Sequence, residues 1–157
     1  MTEARTPSAH ETFAAEAARF WESSGMSRAA GAILGHLMVC EPAAQTQAEL
    51  ASALRLSSGA VSTQLQTLIG AGLVERVRRL GVRTQFYQLP DGVWLTLMDS
   101  EQSRLVRLGA LAQLGLDALP STRQDRITTL DLLVRFYESE WPRLIERFEE
   151  FKRREGS

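Results

Sequence analysis

Apolar residues return at helical spacing along most of the chain and give way to strand-like alternation only once, near its middle. Residues 10–23 (HETFAAEAARFWES) predict a helix with Phe13, Ala17, Phe20 and Trp21 on one stripe, ended by Ser24-Gly25. Ser27 caps a second helix through Ile33, Leu34, Leu37 and Met38, which closes near Glu41-Pro42 because a residue before proline avoids the helical region. Thr46 and Glu49 form a capping box that opens a short helix with Leu50, Ala51 and Leu54 inward. Leu56-Ser57 makes a tight turn, and Ser57 caps a further helix with Val61, Leu65 and Leu68 inward. Gly70 and Gly72 stop that helix, Gly72 as the left-handed residue of its C-cap.

The period then changes. The stretch LVERVRRLGVRTQFYQL is β-branched, aromatic and Arg-rich around Gly81, and predicts a two-stranded hairpin with a basic tip. Two short helices joined by a tight turn and followed at once by a hairpin describe a winged helix-turn-helix. From about Asp91 to Leu116 a helix presents Trp94, Leu97, Met98, Leu105, Leu108 and Leu111 on one side, and Asp117 to Ser121, with Pro120, makes a turn. A last helix, Thr122 to Arg153, carries Ile127, Leu130, Val134, Tyr137, Trp141, Leu144, Phe148 and Phe151, an unbroken heptad seam. Such a helix is roughly 45 Å long at ~1.5 Å per residue. Pro142 lies inside it and should kink it without changing the apolar phase. The expected fold is mainly α with a small β-hairpin: residues 25–90 form a winged helix-turn-helix, and helical segments 1–24 and 91–157 serve dimerisation. The preceding helix covers part of the seam and a second copy of the chain the rest.

Charge refines this picture. The 157-residue chain has a formal net charge of −1, but Thr46 to Leu89 holds five arginines against two acids, a net of +3. A basic centre in an otherwise acidic protein is what a surface meeting phosphate requires. No apolar run approaches the ~20 residues that span a bilayer, and the N-terminus lacks the cationic start and apolar core of a secretion signal. The single cysteine, Cys40, fits a reducing cytoplasm. There is no glycine-rich phosphate loop, paired His-carboxylate spacing or nucleophile elbow, so no catalytic residue, metal ligand set or cofactor is expected.

The candidate chemistry lies on the helix that Ser57 opens. No charged residue occurs between Leu56 and Glu75. At 100° per residue, Gly59, Ala60, Thr63, Gln66 and Thr67 face outward, with Ser62 at the boundary. These side chains are short or hydrogen-bonding, as close approach to base edges in a major groove demands. Ser57, Ser58 and the free amides of the helix N-terminus suit a phosphate. Arg76 lies at the base of the hairpin; Arg78, Arg79 and Arg83 flank Gly81, placed for a phosphate clamp or a narrow minor groove.

The run from GMSRAAGAILGHLMV through TQAELASALRLSSGAVSTQLQTLIGAGLVERV to the wing resembles the MarR superfamily of bacterial transcriptional regulators, most closely its GbsR-like branch. The pattern L-A-x-x-L-x-L-S-x-G-x-V-S-x-x-L-x-x-L from Leu50 to Leu68, with Gly72 to Val74 after it, carries the likeness over residues 25–90. The resemblance implies a cytoplasmic, nucleoid-associated homodimer that binds double-stranded DNA at a pseudo-palindromic operator, usually as a repressor. It also implies that Ser57, Ser58, Gly59, Ser62 and Thr63 are DNA-facing recognition positions and that Arg78 to Arg83 form the wing. Gln64, Gln66 and Thr67 stand where many relatives carry Arg, Asn or Glu, so the operator does not transfer. Some members of that branch respond to cationic ligands, for which Trp21, Trp94, Tyr137 and Trp141 are cage candidates; the effector stays unassigned. The competing reading is a winged helix used for protein contact or dimerisation without DNA, which leaves the +3 segment and the uncharged helix face unexplained.

Overall fold

In the computed structural model, which describes residues 8–156, each of the first four helices starts where a hydroxyl caps it. Residues 1–7 of the predicted N-terminal segment lie outside the described residues. Ser8 caps α1 (Ala9–Ser23), accepting from the Glu11 amide while the Glu11 carboxylate accepts from the Ser8 amide at 2.7 Å. Ser27 caps α2 (Arg28–Leu37), and the predicted Thr46/Glu49 box opens α3 (Gln47–Leu54). Ser57 caps α4 (Ser58–Gly70). The end of α4 is a Schellman motif: Gly72 has φ +70°, its amide donates to Ile69 O, and the Leu73 amide donates to Leu68 O at 2.9 Å.

The chain divides into two compact units, up to Thr96 and from Leu97 onward. The core of the first is Ile33, Leu34 and Leu37 of α2, Leu50 of α3, and Val61, Leu65 and Leu68 of α4, joined by Leu73, Val74 and Tyr87. The predicted wing is present as β2 (Glu75–Val77) and β3 (Phe86–Gln88). A third strand, β1 (Gln45–Thr46), unforeseen from the sequence, pairs antiparallel with β3, giving the order β1-β3-β2. Two residues are too few to show a period.

The stripe predicted for α1 needs correction. Ala14, Ala18 and Trp21 are its buried residues, whereas Phe13 and Phe20 are exposed. The reason lies on α2. A Cβ on Gly35 would meet Ala14 O at 2.7 Å, and one on Gly31 would meet Ala18 O at 2.9 Å. Backbones this close admit only small side chains between them.

The second unit contains most of α5 (Val93–Ala118), a 3-10 turn (Ser121–Arg123) and α6 (Asp125–Glu155). The Gln124 side chain closes the connection, its Nε2 donating to Leu116 O at 2.7 Å and Leu119 O at 2.6 Å. The inward side of α5 matches the predicted stripe only in part: Leu97 and Leu105 are half-buried. Trp94, Met98, Leu108 and Leu111 are exposed and Ala112 is buried, because Gly109 and Gly115 bring α5 against Val134 and Ile127 of α6. The helix α6 continues through Pro142. Its seam is half covered: Val134 is buried and Ile127, Leu130, Tyr137 and Trp141 are half-buried, whereas Leu144, Phe148 and Phe151 stand 53%, 44% and 52% exposed. The buried carboxylate of Asp131 accepts from the Gln113 side-chain amide and from Arg135 Nε, the latter at 2.9 Å. No helix among the described residues is long and apolar enough to cross a membrane.

Candidate nucleic-acid interface

With Val61, Leu65 and Leu68 fixed in the core, α4 must turn its opposite face outward. Ser58, Gly59, Thr63, Gln66 and Thr67 are exposed, and Ser62 is half-buried at the predicted boundary. Ala60, predicted outward, is also half-buried, because it lies on the flank of the stripe next to Val61. A Cβ on Gly59 would meet nothing within 4 Å.

Internal hydrogen bonds hold much of this face. Ser57 Oγ accepts from the Ala60 amide at 3.2 Å. Gln47 Nε2 on α3 donates to both the carbonyl and the Oγ of Ser58, each at 3.0 Å, clamping the start of α4 to its neighbour. Ser27 Oγ donates to Gln64 Oε1 at 2.7 Å, tying α4 to the cap of α2. The Thr67 hydroxyl donates to the Thr63 carbonyl, and Arg76 Nη2 donates to Gln66 Oε1 at 2.9 Å. Gln47, Gln64 and Ser27 escaped the sequence reading as positioning residues. Their partners lie 11 and 37 positions away, and no local pattern announces such pairs.

In the wing, β2 and β3 pair Glu75 with Gln88 and Val77 with Phe86. The Val82 amide donates to Arg79 O at 3.1 Å, and Gly81, at φ +78°, takes the left-handed position of that turn. Leu80 is fully exposed at the tip. Arg78 and Arg83 are exposed and line a cleft of about 230 Å³ with Val82, Thr84 and Gln85. Arg79 is used differently: its guanidinium lies 4.2 Å above the Phe86 ring, a cation–π contact that holds it along the hairpin.

Both acids of this basic segment are occupied internally. Glu49 carries the α3 cap; the Thr46 amide, then the Thr46 hydroxyl and more weakly the charge of Arg79, hold its carboxyl below the usual range. Glu75 Oε1 accepts from Gln88 Nε2 at 2.7 Å. Both carboxylates keep their charge, and the five arginines of Thr46 to Leu89 still outnumber them, leaving the segment net positive.

A separate cleft of about 450 Å³ opens in the first unit between α1, α2 and α3, lined by His10, Glu11, His36, Cys40 and Leu54 among others. His36 is half-buried, and burial lowers its pKa. Burial raises the pKa of the Cys40 thiol, which donates weakly to Ala43 O at 3.6 Å. Among the described residues no group of three His, Cys, Asp or Glu could hold a metal ion. Of the aromatics considered for a cation cage, Trp21 is buried against Phe20 and Tyr137 stacks on Trp141 at 5.6 Å, whereas Trp94 is exposed.

Residues 24–83 match the MarR family, and residues 92–153 match the MmpR5-like MarR family transcriptional regulators. The chain is 34% identical over 123 residues to the HTH-type transcriptional regulator MmpR5 of Mycobacterium tuberculosis, covering 76% of this chain and 74% of that protein. A crystal structure described as a transcriptional regulator superposes with a TM-score of 0.79 at 30% identity, over 91% of this chain and 99% of the other. The matches are to the MarR family and to its MmpR5-like regulators, and none of them is to the GbsR-like branch expected from Leu50 to Leu68 and Gly72 to Val74.

Proposed function

This chain belongs to the MarR family of transcriptional regulators, and from that premise we propose that it is a homodimeric repressor that recognises a pseudo-palindromic site on double-stranded DNA. It is a regulator and not an enzyme. The observation that carries the reading is the outer face of α4, where Ser58, Gly59, Thr63, Gln66 and Thr67 are exposed, uncharged and short enough for a major groove. In this reading Ser57, Ser58 and the first-turn amides of α4 meet phosphate, Ser62 and Ala60 lie at the groove margin, and Arg76, Arg78, Arg79 and Arg83 supply the positive flank. Homodimerisation is supported by Leu144, Phe148 and Phe151, the bare half of the α6 seam. A small-molecule effector belongs to the same reading, and the cleft between α1, α2 and α3 offers one place for it.

The test is electrophoretic retardation of the promoter regions of its own and adjacent genes, repeated across a salt series. Binding should be tight at low salt and weaken steeply as salt rises, since released counterions supply most of the affinity. Loss of both Arg78 and Arg83 to Ala should weaken binding to operator and unrelated duplex about equally. An intact dimer that binds no duplex at low salt would favour a winged helix used for protein contact.

A further inference from the structure

Resting on the DNA-binding reading above, we propose that Arg76 sets the base preference of Gln66: the two side chains act as one donor-only unit that selects guanine where glutamine alone would select adenine. Arg76 stands on β2 and Gln66 on α4; both are exposed, and Arg76 Nη2 donates to Gln66 Oε1 at 2.9 Å. Arginine carries five N–H donors and no acceptor. The amide must therefore turn its oxygen toward Arg76, which points its NH₂ group away. The usual ambiguity between the two ends of a glutamine amide is settled here by chemistry.

That orientation has a consequence for reading bases. A free glutamine reads adenine by donating to N7 while accepting from the exocyclic N6 amine, and so it needs its oxygen. Here the oxygen is engaged by a cation. Its second lone pair stays open, but the guanidinium charge beside it weakens the oxygen as an acceptor and repels the positive end of a second N–H donor. What the pair offers is the amide NH₂ of Gln66 and the remaining N–H groups of Arg76. The complementary edge is guanine, with N7 and O6 as adjacent acceptors. Adenine and cytosine each present an amine, and thymine offers a single acceptor beside a methyl. No acid competes for Arg76 from the adjacent position, because the Glu75 carboxylate is held by Gln88 at 2.7 Å.

The experiment is selection of the full chain on a randomised duplex library, comparing the unsubstituted protein with Gln66→Ala, Arg76→Met and Arg76→Lys. Dimerisation and thermal unfolding are checked for each. The unsubstituted protein should enrich guanine at one position in each half-site, and Gln66→Ala should lose selection there. Arg76→Met keeps the length but removes the donor, freeing the amide oxygen, so that position should turn to adenine. Arg76→Lys retains a donor for the oxygen and should keep guanine. On a single selected duplex, exchanging that G·C pair for A·T should weaken the unsubstituted protein on the order of tenfold and reverse its effect in Arg76→Met. Adenine at the Gln66-dependent position in the unsubstituted protein, or guanine retained by Arg76→Met, would overturn the coupling alone. No enrichment by any of the proteins would overturn the DNA-binding reading with it.

Discussion

Gly35 and Gly59 are both helical glycines, yet they do opposite jobs. A Cβ on Gly35 would meet Ala14 O at 2.7 Å and the Ala17 Cβ at 2.8 Å, so the α1–α2 contact has no room for a methyl. Gly35→Ala should therefore lower stability by about 1–3 kcal/mol, the usual range for overpacking, read as a reduced urea midpoint. Gly59 meets nothing within 4 Å. Gly59→Ala should leave stability unchanged or raise it by up to about 1 kcal/mol through helix propensity, while the added methyl stands on the proposed DNA face and alters affinity or preference. If Gly59→Ala destabilises the protein and Gly35→Ala does not, the assignment of inner and outer helix faces is wrong.

Among the elements, α6 carries a heptad seam that its own chain covers only in part. Val134 is buried, but Leu144, Phe148 and Phe151 continue the same seam into solvent. Charging this half, as in Leu144→Glu with Phe148→Glu, should weaken self-association at least about a hundredfold, because a charge buried without a partner costs several kcal/mol. Sedimentation checks this, and a double variant that stays dimeric would remove the bare seam from the interface. What the sequence disclosed about each element follows from the range of the interactions involved. Caps at Ser27, Thr46 and Ser57 and the stop at Gly72 were readable because each is settled within a few residues. The outward face of α4 was readable because one period fixes both sides of a helix. The inward faces of α1 and α5 are only partly legible, because the spacing of large apolar residues marks Trp21 correctly but also marks Phe13, Phe20, Trp94, Met98, Leu108 and Leu111, which are exposed. In both cases the closest contact inside the chain is made through glycine and alanine, at Gly31, Gly35, Gly109 and Gly115, and most of the large side chains are left outside. The pairs Arg76–Gln66 and Ser27–Gln64 could not be read at all, since they exist only once the turn and the packing are in place.

For the molecule as a whole, the two units differ in how far they can stand alone. The first has a core contributed by α1, α2, α3, α4 and β3, with Ile33, Leu50, Val61, Leu65 and Leu68 all but inaccessible. In the second, Ala112, Asp131 and Val134 are the buried residues among those described. Two helices with so little shielded from water do not supply the stability of an independent domain. The melting temperature should accordingly rise with protein concentration, as it does when folding and association are coupled; a midpoint constant over a hundredfold dilution would show the chain to be stable by itself. One detail of the second unit gains meaning from this. A helical hairpin held by aliphatic contact can slip by one turn, about 5.4 Å, at little expense. Asp131 works as a detent against that slip: moved away from Gln113, its buried carboxylate would lose its one partner on α5 and keep only Arg135 of its own helix. A slip would also change which stretch of α6 is left bare. A single acid inside the hairpin thus indexes the outer surface and decides which residues a second copy of the chain would meet.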